Sequence, residues 1–251
     1  MRIPGDLSTS GGIIEKVGRT VIDGVLFDKD GTLFDFSRSW GGWAARLLQD
    51  LSKDSDHAHE LGRSIGFDAA SASFAPTSPV ISATAEDIAI ALLPLLPAWK
   101  KADLVQRINA LAENAPMAEA VPLVPFLTGL RGRGLRLGVA TNDTEAPARA
   151  HLAAHRITDF FDFVAGYDSG HGPKPGPGMC LAFARSQRLD PARVVMVGDS
   201  LHDLAAGRAA GMRTVAVLTG VARHADLVAH ADTVLADIGA LPDWLDTFTQ
   251  T

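Results

Sequence analysis

The chain contains a single cysteine, Cys180, among 251 residues. An internal disulfide is therefore excluded, and a lone thiol fits a reducing compartment. No apolar run reaches the ~18 residues that span a bilayer. The opening MRIPGDLSTSGG lacks the apolar segment of a signal peptide, so the cytoplasm is the expected location and no membrane partner is expected. There is no basic stripe: 29 acidic residues outnumber 23 Lys and Arg, for a net charge of −6. That balance argues against a nucleic-acid partner. No His/Cys cluster has zinc spacing, and the one H-x-H, His57 with His59, reads as an exposed helix start. No internal repeat is present, and no pattern reports the oligomeric state.

What is there is an ordinary globular composition, 47% apolar and 21% charged, long enough for one core domain plus an insertion. Short apolar runs at Val21–Phe27, Leu135–Thr141, Phe161–Ala165, Val194–Val197 and Thr214–Leu218, with a weaker one at Thr233–Leu235, predict strands. Most are continuous rather than alternating, as in strands covered on both faces of a parallel sheet. Helical patterns at Val124–Arg133, Glu145–His155, Gly178–Arg188 and Leu201–Ala210 lie between them. This alternation predicts an α/β fold, a doubly wound (Rossmann-like) parallel sheet. Residues 36–120 break it. They carry no convincing strand, but ARLLQDL, EDIAIALLPLL and DLVQRINALAENA read as helices, with Thr84 and Asp87 spaced to cap one. The expected division is a core of residues 1–35 and 121–251 with an inserted helical domain, 36–120.

The first strand runs straight into two aspartates one residue apart, VLFDKDGTLFD. Two like charges beside an apolar strand are costly unless a cation or a phosphate sits between them. Three further strands lead to residues that could hold such a group. These are Thr141 and Asn142, then Lys174 in the loop GHGPKPGPG, then Asp199 with Asp203. Ligands of open parallel sheets bind outside the carboxyl ends of strands, so the fold would gather these residues at one edge. Asp28 and Asp30 sit at i and i+2 and can point the same way on an extended chain. Gly31 permits a sharp turn. Hard oxygen donors suit Mg²⁺, Thr141 can donate to a phosphate oxygen, and Lys174 brings a positive charge. Together these predict a site for one divalent metal and one phosphoryl group, with a carboxylate free to attack.

DKDGTL, Thr141-Asn142 after a strand, Lys174 and GDSLHD, in that order, resemble the haloacid dehalogenase superfamily of phosphohydrolases. The likeness spans Val21 to about Gly220. The inserted helical region resembles the type 1 cap of that superfamily, and the core looks most like its phosphoglycolate phosphatase branch. The resemblance implies a nucleophilic role for Asp28, through an aspartyl-phosphate, and a general acid and base role for Asp30. It implies that Thr141, Asn142 and Lys174 hold the phosphoryl oxygens. It implies Mg²⁺ on Asp28, the Asp30 carbonyl and Asp199, with Asp203 orienting a metal-bound water or Lys174. The substrate would be a small phosphorylated metabolite, phosphoglycolate first among them. Dehalogenases of the superfamily lack the second aspartate and phosphonate-cleaving relatives replace it with alanine, so Asp30 favours a phosphate ester. A phosphomutase of the same fold, or a binding module without turnover, are the alternatives.

Other residues read more plainly. Lys29 alternates away from the aspartates and reads as structural or solvated. Cys180 reads as a small core residue. Arg38, Trp40 and Trp43 lie where the chain enters the insertion. Arg38 is a candidate for a substrate carboxylate, against a packing role at the hinge. The loop Gly66–Pro79, with Arg63, is a second candidate for substrate contact, and His171 and His202 flank the motifs. The insertion is expected to close over the core, with hinges near Asp35–Ser37 and Glu119–Pro122.

Overall fold

The computed structural model describes residues 21–75, 77–81 and 84–248. The N-terminal segment discussed above, Pro76 in the Gly66–Pro79 loop and the last three residues lie outside them. Along the chain, β1 (Gly24–Phe27) is followed by α1 (Phe36–Leu51), α2 (Ser55–Ser64), β2 (Phe67–Asp68), β3 (Ser73–Phe74), α3 (Ala85–Leu92) and α4 (Lys101–Ala112). Then come α5 (Leu123–Gly132), β4 (Arg136–Ala140), α6 (Glu145–Ala154), β5 (Phe163–Ala165), α7 (Gly178–Gln187), β6 (Val194–Gly198) and α8 (Leu201–Ala209). The chain closes with β7 (Arg213–Val217), α9 (His224–Leu227), β8 (Thr233–Leu235) and α10 (Leu241–Asp246).

The main sheet has six strands in the order β5-β4-β1-β6-β7-β8, every pair parallel. The strand order reverses at β1, whose Phe27 faces Val139 on one side and Val197 on the other. The continuous apolar runs follow from the two-sided cover. Val25, Phe27, Val195 and Val197 pack with Leu127 of α5 and Leu241 of α10. The alternate residues Leu26, Val194 and Met196 pack with Cys180 and Phe183 of α7 and Ala206 of α8. A strand whose side chains alternate between two dry layers has no use for polar residues on either face.

Helices α1 to α4 build a separate apolar cluster around Trp40, Trp43, Leu47, Ile88, Leu104 and Ile108. Asp35 caps α1 and Asp54 caps α2, each accepting a backbone N–H three residues on at 2.9 Å. Thr84 and Asp87 form the expected capping box at α3. Helix α2, mostly polar, begins just before His57 and His59, where a helix start is expected, whereas β2 with β3 make a hairpin of two residues per strand where the sequence shows no strand. Strands that short carry no periodicity; here Phe67 and Phe74 hold the hairpin by ring contact at 4.9 Å. The chain enters and leaves the helical region side by side: Asp35 N–H donates to Ala118 O at 2.8 Å, and Ala120 N–H to Leu33 O at 3.0 Å. Among the described residues no helix is long and apolar enough to cross a membrane.

Candidate active site

Asp28 follows the last residue of β1, and its N–H donates to Val197 O at 2.8 Å, so the ladder with β6 carries through to the carboxylate-bearing residue. The chain then turns on Gly31, at a φ of 84° that side chains rarely adopt. The turn is closed by the Gly31 N–H on Phe34 O at 2.7 Å and by Thr219 Oγ1 donating to Gly31 O at 2.6 Å.

Lys174 reaches this strand end from the loop after β5. Its ammonium donates to Asp28 Oδ1 at 2.5 Å, Asp203 Oδ1 at 2.5 Å and Ala140 O at 2.9 Å. Three acceptors account for its three protons. Burial works against the charge, but Asp203 and Asp28 outweigh it and raise the lysine pKa. Asp203 Oδ2 accepts from the Ser200 N–H and hydroxyl at 3.0 and 2.6 Å, which fixes the first turn of α8. The Asn142 amide spends both ends on the Lys174 main chain, donating to its carbonyl at 3.0 Å and accepting from its N–H at 2.8 Å. A loop rich in Gly and Pro needs a clamp, and the Asn142 amide supplies it. Thr141 Oγ1 accepts from the Asp143 N–H at 3.0 Å, which leaves the hydroxyl hydrogen to donate.

Carboxylate oxygens of Asp28, Asp199 and Asp203 lie within 4.8 Å of one another. Burial, opposed by Lys174 and assisted by Asp203 and Asp30, pushes the Asp28 pKa up to about 7. Asp199 is raised well above the ordinary range by burial, then by Asp28 and Asp203. Asp199 Oδ2 is buried with no hydrogen-bond partner among the described residues. One ammonium does not balance three buried carboxylates, and an orphaned carboxylate oxygen in an all-oxygen setting fits a hard divalent cation. The surrounding backbone leaves little else there: a Cβ on Gly31 or Gly220 would run into the Asp199 carboxylate.

Asp30 sits in a second network. The Lys29 ammonium lies 2.8 Å from both Asp30 oxygens and 3.2 Å from Asp143 Oδ2. It also donates to His151 Nδ1 at 3.1 Å, since an ammonium cannot accept. The His151 proton is therefore on Nε2, donated to Ala112 O of α4 at 2.7 Å. Trp40 Nε1 of α1 donates to Asp30 Oδ1 at 2.9 Å, and the Lys29 ammonium lies 5.2 Å from the Trp40 ring centre. Lys29 is wholly buried rather than solvated. Burial opposes its charge, but Asp30 and Asp143 raise its pKa; burial raises Asp143 against the pull of Lys29. His151 is lowered to about 4, by burial first and then by Lys29. Sequence reasoning places none of Lys29, Asp143 and His151 in the site. Asp143 follows the Thr141-Asn142 pair, which is a signal of a kind. His151 has none at all: its place depends on how α6 meets α4.

Asp28, Asp30, Thr141, Asn142, Lys174, Asp199 and Asp203 all line one cleft, roofed by α1, α3 and α4. His202 lines it too, while His171 lies beside the Phe163 ring. Arg38 is not brought to the cleft. The helical period buries Phe36, Ser39, Trp40 and Trp43 on one side of α1 and leaves Arg38 exposed. Arg63 and the 66–75 segment line a different groove, whereas Val80 and Ile81 reach the cleft.

The family model described as haloacid dehalogenase-like hydrolase matches residues 25–217. Over 213 residues the chain is 31% identical to the probable phosphatase IndB of Dickeya dadantii, covering 85% of this chain and 88% of that one. Over 120 residues it is 38% identical to a phosphoglycolate phosphatase of Rhodospirillum rubrum, covering 48% of this chain and 50% of that one. A crystal structure of a predicted phosphoglycolate phosphatase from Haemophilus somnus shares the fold, with a TM-score of 0.70 over 91% of this chain and 98% of that one at 18% identity. The chain belongs to the haloacid dehalogenase-like hydrolase family.

Proposed function

We propose that the protein is a divalent-metal-dependent phosphomonoesterase acting on a small phosphorylated metabolite through an aspartyl-phosphate. The observation that carries this reading is the convergence of Asp28, Thr141, Lys174 and Asp199 from four adjacent strand ends, with Asp30 beside them. Lys174 holds Asp28 Oδ1, which leaves Oδ2 to attack phosphorus. The bond from phosphorus to the ester oxygen breaks, and that oxygen takes a proton from Asp30 and leaves as the alcohol. Asp30 then takes a proton from water, whose oxygen attacks phosphorus. The Asp28–phosphorus bond breaks, inorganic phosphate departs and the carboxylate is restored. Throughout, Thr141 and Lys174 steady the phosphoryl oxygens, Asn142 and Asp203 hold Lys174, and Lys29 and Trp40 fix the Asp30 carboxylate. Mg²⁺ on Asp28, Asp199 and the Asp30 carbonyl would offset the repulsion between the dianionic ester and the carboxylates.

Residues 36–120 act in this reading as a cap over the core of 1–35 and 121–251. The chain segments bridged at Leu33–Asp35 and Ala118–Ala120 are its hinge. Closure excludes water from the aspartyl-phosphate until Asp30 is positioned to activate one.

The test is phosphate release from a panel of phosphomonoesters with Mg²⁺, 2-phosphoglycolate included because relatives carry its name. Activity should require Mg²⁺, vanish with EDTA and fall by at least about 10³-fold in Asp28→Asn. Undiminished turnover in purified Asp28→Asn protein overturns the assignment. Accumulation of an isomeric phosphate ester in place of free phosphate identifies a mutase instead.

A further inference from the structure

The cleft is chemically two-sided. Its floor carries five carboxylates, Asp28, Asp30, Asp143, Asp199 and Asp203, with Lys174 among them. Its roof carries the side chains of Trp40, Trp43, Val80, Ile81, Ile88 and Ile108, with alanines at 85 and 112. A phosphoryl group bound at Asp28 must direct its alcohol half at that roof. We propose that the roof selects a small, uncharged, apolar alcohol as the leaving group, and that a carboxylate-bearing one such as glycolate is disfavoured; this rests on the phosphomonoesterase reading.

Among the described residues lining the cleft, only Lys174 and His202 can carry positive charge. The three Lys174 protons already go to Asp28, Asp203 and Ala140 O. His202 lies in the first turn of helix α8, on the core side of the cleft. Lys29 is wholly buried and committed to Asp30, Asp143 and His151, and does not line the cleft. The two arginines that could have clamped a carboxylate, Arg38 and Arg63, lie on the outer side of α1 and in a separate groove. A substrate carboxylate would thus lose water against an apolar wall on which no described residue offers it a cation. An apolar group gains from the same wall. The cavity is small, about 60 Å³, and must also seat the phosphoryl group, which limits the alcohol to a short chain.

The experiment compares shape-matched esters in the whole protein with Mg²⁺: isobutyl phosphate, whose two methyls replace the carboxylate oxygens of 2-phosphoglycolate, 2-phosphoglycolate itself and its amide. Isobutyl phosphate should exceed 2-phosphoglycolate in kcat/KM by at least about 30-fold, chiefly through KM, with the amide between them. Ile108→Arg, which puts a cation on the roof, should narrow or invert the ratio. Equal efficiency, or 2-phosphoglycolate ahead, in the unmodified protein overturns the proposal whether or not that variant folds. Calorimetric binding of two non-hydrolysable analogues, isopentylphosphonate and 3-phosphonopropionate, reads the same preference without turnover. The former should bind at least about tenfold tighter, and parity overturns the proposal. Absence of turnover on every ester instead overturns the phosphomonoesterase reading, and the phosphonate pair still decides the character of the roof.

Discussion

Trp40 Nε1 donates to Asp30 Oδ1 at 2.9 Å, so the first helix after the turn at Gly31 holds the proposed acid and base of the reaction. The same carboxylate meets Lys29, which leads through His151 to the carbonyl of Ala112 at the end of α4. Asp30 is therefore tied to the roof at both α1 and α4. An opening roof would draw Trp40 and Ala112 away and release it.

Trp40→Phe keeps the ring but removes the donor. A hydrogen bond to a charged group contributes about 1.5–3 kcal/mol. If it serves mainly to orient Asp30 in the transition state, kcat should fall by about 10- to 100-fold with KM little changed. Steady-state kinetics of the variant would show it; a KM effect alone would mean that Trp40 serves only the alcohol subsite.

Lys29→Met leaves the half-buried Asp30 and Asp143 without their wholly buried cation. Breaking a buried pair in this way costs about 3–5 kcal/mol. Urea unfolding should show a loss of that size. Adding Asp143→Asn to Lys29→Met should recover part of it, since one of the two stranded charges is then gone.

His151 carries a pH prediction. Its pKa is about 4 when folded, against 6.5 when unfolded, because burial and then Lys29 disfavour the imidazolium. Between those values the unfolded chain binds more protons. This contribution to stability is therefore full above pH 6.5 and is lost progressively as pH falls towards 4, by up to about 3 kcal/mol. Urea midpoints across pH 4–7 should fall less steeply in His151→Gln than in the unmodified protein. Parallel slopes would place the titration elsewhere.

Asp199 ties metal binding to stability. Its carboxylate is buried against Asp28 and Asp203 with one oxygen unpartnered. Adding Mg²⁺ should raise Tm, by linkage to binding. Asp199→Asn should abolish that shift while leaving the metal-free protein at least as stable, because a repelling charge has been removed. A full Mg²⁺ shift in the variant would place the ion elsewhere.

Gly220→Ala tests the space around the same carboxylate. The added methyl collides with Asp199, and the neighbour is a short side chain held at a strand end. Mg²⁺ affinity should weaken at least about tenfold, read by the Mg²⁺ concentration at half-maximal activity. Unchanged affinity would show that Asp199 can shift without consequence.

Much of this was legible from residue order alone. The apolar runs Val21–Phe27, Leu135–Thr141 and Val194–Val197 read as strands with two covered faces, and Asp28, Thr141 and Asp199 stand at or just past the ends of the strands they form. Parallel topology then forces those ends to one edge, so the convergence on Asp28 needed no coordinates. Thr84 with Asp87 likewise announced a helix start. These are local patterns, and local patterns survive in a single sequence.

Tertiary structure alone decided what each polar side chain faces. Lys29 sits between two aspartates on a strand end, and alternation points it away from them. Yet its long stem bends the ammonium back to Asp30 once Asp143 and His151 close around it. Asn142 turned to the Lys174 main chain because that loop folds back against it. Arg38 went outward because Trp40 and Trp43 claimed the inner face of α1. Spacing along one chain determined which strand ends meet, since that follows from topology. The partners of long polar side chains depend on contacts between α1, α4 and α6, elements far apart in sequence whose packing no local pattern encodes.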